Sequence, residues 1–560
     1  MKLLHSHNFN INKNLINTKT IYNTINTNYT KIIKFTSFTK FSSSFIACLS
    51  SKHFSLKISN NFTRTITIKD YINKYNNITE PLNDISESVA GRVLSIRTLS
   101  KNLSFLDLSS NGVTIQIAFL CGKNSKSNID LNDFKSIKRG DIIGLEGNPF
   151  KTKTGELSLL AQKLHLLSPY EYKNELPILN RENSTMLKNF DTRYSKRYLD
   201  LIVNNHHKNY FFFRANIIKF LRNFLESRDF LEVETPVLSR KAGGAIARPF
   251  VTHANHLKTD LYLRIAPELY LKQLIIAGFE KVFEIGKNFR NEQITIKHNP
   301  EFTTCEFYEA YSDYLKLMKM TQQFLKELVI SLFGKPTVTI NNIDINFEDD
   351  FQILDVFVEL EKYFDTKIER IDRGIFEDQI NKIYKEYEMK NRSHSITTAN
   401  NTTNNNKTEL TLNKKIEILI EDLIEVKCNK PSFIIHHPIM LSPLTKSLND
   451  QILVSERFEF YINKIELINA YSELNCHKEQ KLRFEEQLKN NKSNSNNTNT
   501  NEKEENSEFH PMDMDFVDAL SHGMPPTAGF GIGIDRLTMI LLGLDNIKEV
   551  ILFPLMNVNV

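Results

Sequence analysis

The stretch KVFEIGKNFRNEQITIKHNPEFTTCEFYEAY, residues 281–311, decides the fold of the longer part of this chain. Two strand-like segments joined by a polar loop make up this stretch, which therefore predicts a β-hairpin. The two-residue period of a strand places four side chains on one face of the second segment: Phe302, Thr304, Glu306 and Tyr308. A carboxylate between aromatic rings is costly to bury unless a cation pairs with it. Taken alone, the pattern fits a half-exposed strand with a solvated glutamate better than a site.

The polar loop of this hairpin carries side chains that suit a nucleotide. Arg290 follows the first segment, and His298 comes shortly before Phe302. A guanidinium group binds two phosphate oxygens at once, and an aromatic ring stacks on a base. In isolation, a surface hairpin with an ion pair between Arg290 and Glu292 explains the loop about equally well.

A second strand with a similar composition lies near the C-terminus, in IELINAYSELN at residues 465–475. There Asn469, Tyr471 and Glu473 share one face, again by the two-residue period. Each strand offers a glutamate beside a tyrosine. Each pattern is weak by itself, but the two together predict a pocket selective for a cationic ligand.

The stretch AGFGIGIDRLTMILLG, residues 528–543, predicts a glycine-rich strand followed by a helix. Its glycines let a ligand or a neighbouring backbone approach closely. Asp535 is predicted as the helix N-cap, which would place Arg536 in the first turn, where phosphate binds favourably. Packing of the strand against a helix explains the glycines equally well. Another helix is predicted from Pro267, with Glu268 at its N-terminus.

The 560 residues exceed what one hydrophobic core usually holds, so at least two domains are expected. Short alternating strands at regular spacing predict a small β-barrel or sandwich at residues 70–170. These strands are Val89–Ile96, Leu103–Leu108, Val113–Phe119 and Ile142–Gly147. A linker is expected at 171–190 and a second domain at 191–560. In the second domain, an amphipathic helix is predicted at Asn209–Ser227, with six apolar residues near one face: Phe212, Ile217, Phe220, Leu221, Phe224 and Leu225.

Residues 1–69 contain ten Lys or Arg and no Asp or Glu, so the remainder carries 61 basic and 66 acidic residues. Nucleic-acid binding by the remainder therefore needs a local basic patch. An acid-poor, hydroxyl-rich leader is typical of organellar transit peptides. A disordered tail without a targeting role is the alternative. Two inserts rich in Asn, Thr and Ser, at about 391–412 and 489–507, are expected to be disordered and without catalytic role.

Membrane, zinc and disulfide classes are not indicated. No apolar run approaches the ~20 residues of a membrane-spanning helix. The five cysteines form no C-x-x-C pair, and their number is odd. This argues against a structural zinc site or a disulfide framework and suits a reducing compartment.

Three segments of the chain resemble, in order, the three motifs of class II aminoacyl-tRNA synthetases. They are FLEVETPVL (230–238), FRNE with HNPEFTTCEFY (289–292 and 298–308), and GIGIDRLTM (531–539). Further segments are similar to the lysyl members of that class: EGNPFKTKTGELS (146–158), GGAIARPFVTHAN (243–255), APELYLK (266–272), NAYSELN (469–475) and MPPTAG (524–529). The resemblance implies an α+β fold, with an N-terminal OB-fold barrel and an antiparallel catalytic sheet flanked by helices. The first motif implies a homodimer.

The resemblance also implies roles for individual residues. The lysine pocket is expected to comprise Gly244, Glu268, Glu306, Tyr308, Asn469, Tyr471 and Glu473. In it, Glu306, Tyr308 and Glu473 would hold the ε-ammonium and Glu268 the α-amino group. The ATP-binding set is expected to be Arg290, Glu292, His298, Phe302 and Arg536, with the two arginines as the catalytic residues. Magnesium is expected with ATP at Glu459 and Glu466. The anticodon contacts are expected at Arg97, Phe105, Gln116 and Glu156.

The implied function is ATP-dependent activation of L-lysine and its transfer to tRNA(Lys), inside a plastid-like organelle (an apicoplast) or a mitochondrion rather than in the cytoplasm. An aspartyl or asparaginyl enzyme is the nearest alternative, but those carry an SPQ-type sequence in place of Ala266-Pro267-Glu268. A protein-lysylating paralogue would not need the anticodon-like barrel. A non-catalytic RNA-binding paralogue would not need both arginines. Gln293 replaces the usual glycine, and Cys476 departs from the usual aspartate.

Overall fold

The computed structural model describes the chain in nine stretches. These are residues 57–100, 102–120, 129–171, 187–241, 243, 247–392, 410–449, 451–495 and 513–556. They belong to two compact units, Met1–Glu175 and Leu176–Val560. The division falls inside the predicted linker at 171–190, most of which, residues 172–186, lies outside the described stretches.

A five-stranded barrel forms the core of the first unit. Its strands are β1 (Glu87–Thr98), β2 (Leu103–Ser110), β3 (Val113–Leu120), β4 (Ile142–Lys151) and β5 (Leu157–Ser168). Two helices accompany them, α1 (Ile68–Tyr75) and α2 (Leu131–Ser136). The strands close in the order β1-β2-β3-β5-β4 around alternate apolar side chains such as Val89, Leu106 and Ile117. The predicted small β-barrel is confirmed.

Residues upstream of Asp70 already contact this barrel. Ile58 forms a β-bridge with Leu166 of β5, and the Thr65 hydroxyl donates a hydrogen bond to Glu87 at 2.6 Å. Thr67 then caps α1 by accepting a hydrogen bond from the Asp70 backbone N–H. The predicted leader was too long, because residues 57–69 are folded. Composition alone did not show that these acid-free residues pair with the barrel. Residues 1–56 lie outside the described part of the chain.

Among its described residues, the second unit has one large sheet and three small ones. Its strands are β6 (Leu231–Glu232), β7 (Leu238–Ser239), β8 (Val251–Ala254), β9 (Thr259–Leu263), β10 (Lys281–Phe289), β11 (Glu301–Ala310), β12 (Thr337–Ile340), β13 (Ile343–Asn346), β14 (Gln352–Asp355), β15 (Ser432–Ile435), β16 (Ser447–Leu448), β17 (Gln451–Ser455), β18 (Arg457–Ile462), β19 (Ile465–Ser472) and β20 (Thr527–Gly533). Eight of them form one sheet in the order β14-β15-β18-β19-β20-β11-β10-β6. Its pairs are antiparallel except β14 with β15 and β6 with β10. Strands β7, β9 and β8 form a separate three-stranded sheet.

Helices flank this sheet, as the α+β prediction requires. They are α3 (Phe190–Ser195), α4 (Arg197–Val203), α5 (Lys208–Glu226), α6 (Glu268–Ile276), α7 (Tyr314–Phe333), α8 (Val356–Phe364), α9 (Arg373–Arg392), α10 (Leu412–Leu423), α11 (His477–Ser495), α12 (Met514–Ser521) and α13 (Ile534–Leu541). In α5, Ile217, Leu221, Phe224 and Leu225 are buried as predicted, whereas Phe212 is 54% exposed and lies off the core face. Among the described residues, no helix is long and apolar enough to cross a membrane.

The two predicted inserts lie largely outside the described residues, at 393–409 and 496–512. The predicted start of the second insert at residue 489 was wrong, because α11 continues through 489–495 as a helix. Before the first insert, α8 and α9 pack with α10 around Phe357, Phe376 and Ile420, which form a separate apolar cluster. This cluster supports β15 and β18 from the side of the sheet that ends at β14.

Asp535 does not cap a helix; its side chain connects α13 with α5 and β11 through hydrogen bonds. The N-cap of α13 is Gly533, and the buried Asp535 carboxylate accepts hydrogen bonds from Arg214 of α5 at 2.7 Å and the Thr303 backbone N–H at 2.8 Å. The prediction of an N-cap at Asp535 was therefore wrong. Since a buried carboxylate without partners is costly, this aspartate fixes α5 and β11 against α13.

We expect Asp535→Ala to destabilise the second unit by about 3 kcal/mol, because it leaves the largely buried Arg214 guanidinium without its counter-ion. The urea midpoint, followed by tyrosine fluorescence, measures this change. Asp515→Ala is the matched control: its side chain is 79% exposed and pairs with Lys241, so we expect less than about 1 kcal/mol. Equal urea midpoints for the two variants would contradict a stabilising role for the contacts of Asp535 with Arg214 and Thr303.

Candidate functional site

Three neighbouring strands build the site, with the glycine-rich β20 in the middle. In the register, Gly531 lies between Glu306 of β11 and Asn469 of β19, and Gly529 lies between Tyr308 and Tyr471. A Cβ at Gly529 would lie 2.5 Å from the Tyr308 ring and closer still to Oε1 of Glu473. Glycine is therefore required there, because any side chain would fill the space between the two outer strands.

The strands enclose one end of a cavity of about 530 Å³. Twelve residues singled out from the sequence line it: Glu268, Arg290, Glu292, His298, Phe302, Glu306, Tyr308, Glu459, Glu466, Asn469, Tyr471 and Arg536. Glu473 is fully buried behind Gly529 and does not form part of the cavity wall. Gly244 lies outside the described residues. The two motif strands and both arginines thus meet in one place, while the role of each residue stays a prediction.

The inner end of the cavity is acidic. Glu306 is buried, and burial together with the neighbouring Glu268 carboxylate raises the pKa of Glu306 to about 7. Thr304 and Asn288 donate hydrogen bonds to its Oε1 at 3.2 and 3.3 Å. Asn288 was not predicted, because on β10 it faces β11 through pairing that the sequence does not reveal.

Lys272, which sequence reasoning missed, lies beneath this acidic end. Its side chain is fully buried, and its ammonium contacts Glu268 Oε1 at 2.6 Å and also pairs with Glu473. Tyr471 donates a second hydrogen bond to Glu268 Oε1 at 2.7 Å. The spacing of Glu268 and Lys272, four residues apart on α6, was the available signal, but that spacing is also common on exposed helix faces.

Glu473 keeps one oxygen unsatisfied. Burial raises the pKa of Glu473 well above its usual value, and Lys272 acts in the opposite direction. The ion pair uses Oε2, and Oε1 finds no hydrogen-bond partner among the described residues. A buried acceptor without a partner costs free energy unless a ligand supplies a donor. Oε1 is therefore suited to a cation that reaches the bottom of the cavity.

The outer end of the cavity is basic, and its groups pair with one another. Arg536 donates to Glu466 Oε2 at 3.1 Å and to His298 Nε2 at 2.7 Å. Burial and then the charge of Arg536 lower the pKa of His298 to about 4, so its ring is neutral near pH 7 and can accept that bond. The guanidinium of Arg290 lies 5.2 Å from the centroid of the Phe302 ring, which fits a cation–π contact. A nucleotide phosphate could replace the Glu466 contact.

The two candidate metal ligands differ in their present partners. Glu459 pairs with Arg457 and accepts a hydrogen bond from Tyr461 at 2.9 Å, and these contacts outweigh burial and lower its pKa. Glu466 pairs with Arg536 at 3.1 Å. The described residues contain no group of three His, Cys, Asp or Glu placed to hold a metal. Two hard carboxylates nevertheless fit Mg²⁺, which in nucleotide sites takes its other oxygens from phosphate and water.

Gln293, the departure noted in the hairpin loop, also lines the cavity. It is not among the described non-glycine residues with positive φ. The replacement of glycine therefore causes no backbone strain at this position.

The four anticodon candidates lie in the barrel unit. Arg97 is paired with Phe105 in the β1–β2 register and donates a hydrogen bond to Gln116 Oε1 at 3.1 Å. Gln116 in turn donates to the Ser158 hydroxyl at 3.0 Å, and the half-buried Glu156 lies two residues before Ser158. Asp107, which was not predicted, pairs with Arg97 at 3.3 Å. The structure thus links Arg97, Phe105 and Gln116 on one face.

Comparison with known proteins agrees with this geometry. The family described as tRNA synthetases class II (D, K and N) matches residues 189–557, and the OB-fold nucleic acid binding domain matches residues 87–167. A protein named lysine–tRNA ligase from Wigglesworthia glossinidia brevipalpis is 41% identical over 88% of this chain and 94% of its own length. Lysine–tRNA ligase 2 of Methanosarcina mazei is 42% identical over 83% and 84%, respectively. The lysine–tRNA ligase of Thermotoga maritima is 39% identical over 88% and 91%.

These matches cover both units and include the three strands around the cavity. The chain therefore belongs to the class II tRNA synthetases, and within them to the family of lysine–tRNA ligases.

Proposed function

We propose that this chain activates L-lysine with ATP and transfers the lysyl group to the 3′ end of tRNA(Lys). The observation that carries the proposal is the polarity of the cavity. Glu268, Glu306 and the buried Glu473 gather at one end, Arg536 lies with His298 at the other, and Arg290 acts electrostatically on both Glu306 and His298. Lysine carries two ammonium groups and one carboxylate, and only a ligand with that charge pattern satisfies both ends.

The two steps of the reaction need positioning more than acid–base chemistry. Arg290 orients the lysine carboxylate against the α-phosphorus of ATP, whose adenine stacks on Phe302. The carboxylate oxygen forms a bond to that phosphorus, and the bond to the β-phosphate oxygen breaks, so diphosphate leaves. A ribose hydroxyl of the tRNA then attacks the carbonyl carbon of lysyl-adenylate and releases AMP. Arg290 and Arg536 stabilise the charge that develops on phosphate oxygens.

Glu459 and Glu466 are the residues that would hold Mg²⁺ in this reaction. Both line the cavity, Glu466 in contact with Arg536, and carboxylate oxygens are the ligands that this ion prefers. When bound with ATP, Mg²⁺ neutralises negative charge on the phosphates. With Glu466 as a ligand of the metal, Arg536 would be available to bind the terminal phosphate.

An aspartyl or asparaginyl activity is the competing proposal, because the matching family covers enzymes of all three kinds. An aspartate side chain would face the carboxylates of Glu306 and Glu473, and like charges in a buried site repel strongly. The side chain of asparagine is neutral and shorter than that of lysine. It would leave the unsatisfied Oε1 of Glu473 without a cation.

The barrel would read the anticodon. Arg97 and Phe105 lie side by side on β1 and β2, and the Arg97 side chain is 46% exposed. An aromatic ring and a guanidinium group on a barrel face suit unstacked bases. Gln116 and Glu156 would add hydrogen bonds to base edges.

The enzyme would act as a homodimer. Several apolar residues of the first family motif and its neighbours are exposed in the single chain: Phe212, Leu231, Val237, Leu238, Val251 and Leu257. Exposed apolar residues in such number mark an interaction surface. A second copy of the chain fits this surface, because the first motif forms the dimer interface in the family that the chain resembles.

We expect Arg290→Ala to lower lysine-dependent ATP–diphosphate exchange by at least about a hundredfold, since it removes a cation that acts on the reacting groups. The exchange is assayed with a panel of amino acids, so that the same experiment tests the preference for lysine. Lys326→Ala, at an exposed position of α7, is the control and keeps the wild-type rate. Wild-type exchange in Arg290→Ala, or preferred exchange with aspartate, would refute the proposal.

Binding of lysine should depend on pH through Glu306. Because the pKa of Glu306 is raised to about 7, this carboxylate becomes protonated as the pH falls through that value and no longer attracts an ammonium group. We expect kcat/KM for lysine to fall roughly tenfold per pH unit below about 6.5. The slope should be lost in Glu306→Gln, which also raises KM for lysine. A slope unchanged in that variant would assign the pH dependence to another group.

An organellar location, plastid-like or mitochondrial, remains part of the proposal and rests on the composition of the leader. Residues 1–56 contain no acidic residue and seven Lys or Arg, which is typical of transit peptides. We expect these residues to carry a fused fluorescent protein into an organelle. A matched fusion with every leader Lys and Arg replaced by Gln should stay in the cytosol. Cytosolic fluorescence from the unmodified leader would exclude targeting.

A further inference from the structure

We propose that Lys272 is a specificity-determining residue of the lysine pocket, because its buried ammonium sets the charge of the pocket and positions Glu268 and Glu473. This inference rests on the proposed function, since it concerns how the same pocket recognises lysine. Lys272 does not line the cavity, and it acts through the two carboxylates that it holds.

The ammonium group of Lys272 is shared between the carboxylates of Glu268 and Glu473. Its side chain has no exposed surface, and its ammonium lies 2.6 Å from Glu268 Oε1 and in contact with Glu473 Oε2. The rings of Tyr471 and Phe516 lie 5.6 and 5.8 Å away. Burial lowers the pKa of Lys272, but the two carboxylates outweigh this effect and keep the ammonium charged.

The charges of the pocket match those of lysine only when Lys272 is counted. When lysine is bound and all three carboxylates, Glu268, Glu306 and Glu473, are ionised to face its cations, they contribute −3, and Lys272 contributes +1, which leaves −2. The two ammonium groups of lysine contribute +2. Without Lys272 the empty pocket would hold three crowded negative charges, and one carboxylate would take up a proton instead. That carboxylate could then no longer bind an ammonium group.

Lys272 also determines which carboxylate oxygens remain for the substrate. It contacts Oε1 of Glu268, which Tyr471 shares, and Oε2 of Glu473. Oε1 of Glu473 has no hydrogen-bond partner among the described residues. Each carboxylate is therefore anchored through one oxygen, and this contact fixes the position of the other oxygen.

The other charged and titratable groups around Lys272 are few. Strand β11 contributes Glu306 and Tyr308, and β19 contributes Tyr471, followed by Glu473. Helix α12 contributes the uncharged Phe516, while Asp513 at its N-cap lies 3.8 Å from Lys241. Lys272 thus lies between the carboxylates of α6 and β19 as their shared cation.

The test is the pH profile of kcat/KM for lysine in Lys272→Met, measured by ATP–diphosphate exchange. We expect KM for lysine near pH 7 to rise at least about thirtyfold with a much smaller change in kcat, and the midpoint of the profile to move upward by about one pH unit. The variant should therefore recover activity at higher pH, which a simple packing defect would not do. A profile with the wild-type midpoint in a folded Lys272→Met would overturn the inference.

The double variant Lys272→Met/Glu473→Gln serves if the single variant does not fold. It removes both members of the ion pair, so no unpaired buried charge is left, and it returns the pocket to −2. We expect its midpoint to match wild type although KM for lysine stays high. A midpoint displaced as in the single variant would overturn the inference. A wild-type protein that does not exchange with lysine would instead refute the proposed function itself.

Discussion

The site depends on a strand, β20, whose alternate residues Gly529, Gly531 and Gly533 carry no side chain. β20 separates the two strands that carry the pocket glutamates, and Gly529 and Gly531 leave the space into which Glu473, Tyr308 and Glu306 extend. A sheet of ordinary composition would fill this space with its own side chains. The rest of the second unit serves to hold this arrangement, from the apolar core under α5 and α7 to the Asp535 contacts with Arg214 and Thr303.

Charged side chains at each end of the cavity already have partners within the chain. Lys272 partly neutralises the acidic end, and Glu466 and His298 engage Arg536 at the basic end. Binding of lysine, ATP and Mg²⁺ would therefore exchange one charged partner for another instead of bringing bare charges together. Groups held in place in this way need little reorganisation when the reaction occurs, which is the source of electrostatic catalysis in such sites.

The sequence predicted what depends on local periodicity. The two-residue period placed Glu306 with Tyr308, and the hairpin formed with Arg290 at its loop. Contacts made through tertiary packing were missed. Lys272 and Asn288 are ordinary polar residues until α6 and β10 are placed beside β11, and Asp535 follows a glycine strand as an N-cap would. The predicted end of the leader at residue 69 was too late for a related reason, since composition does not reveal that Ile58 and Thr65 contact the barrel.

The attachment of residues 57–69 to the barrel has a consequence for maturation. A processing protease needs an extended, unpaired segment, and Ile58 is engaged with Leu166 while Thr65 is bonded to Glu87. If residues 1–56 are a presequence, as proposed, its removal would therefore have to end upstream of Lys57. A cut nearer Asp70 would remove Phe62, which packs against Gly144 and the His165 ring, and would leave the barrel incomplete.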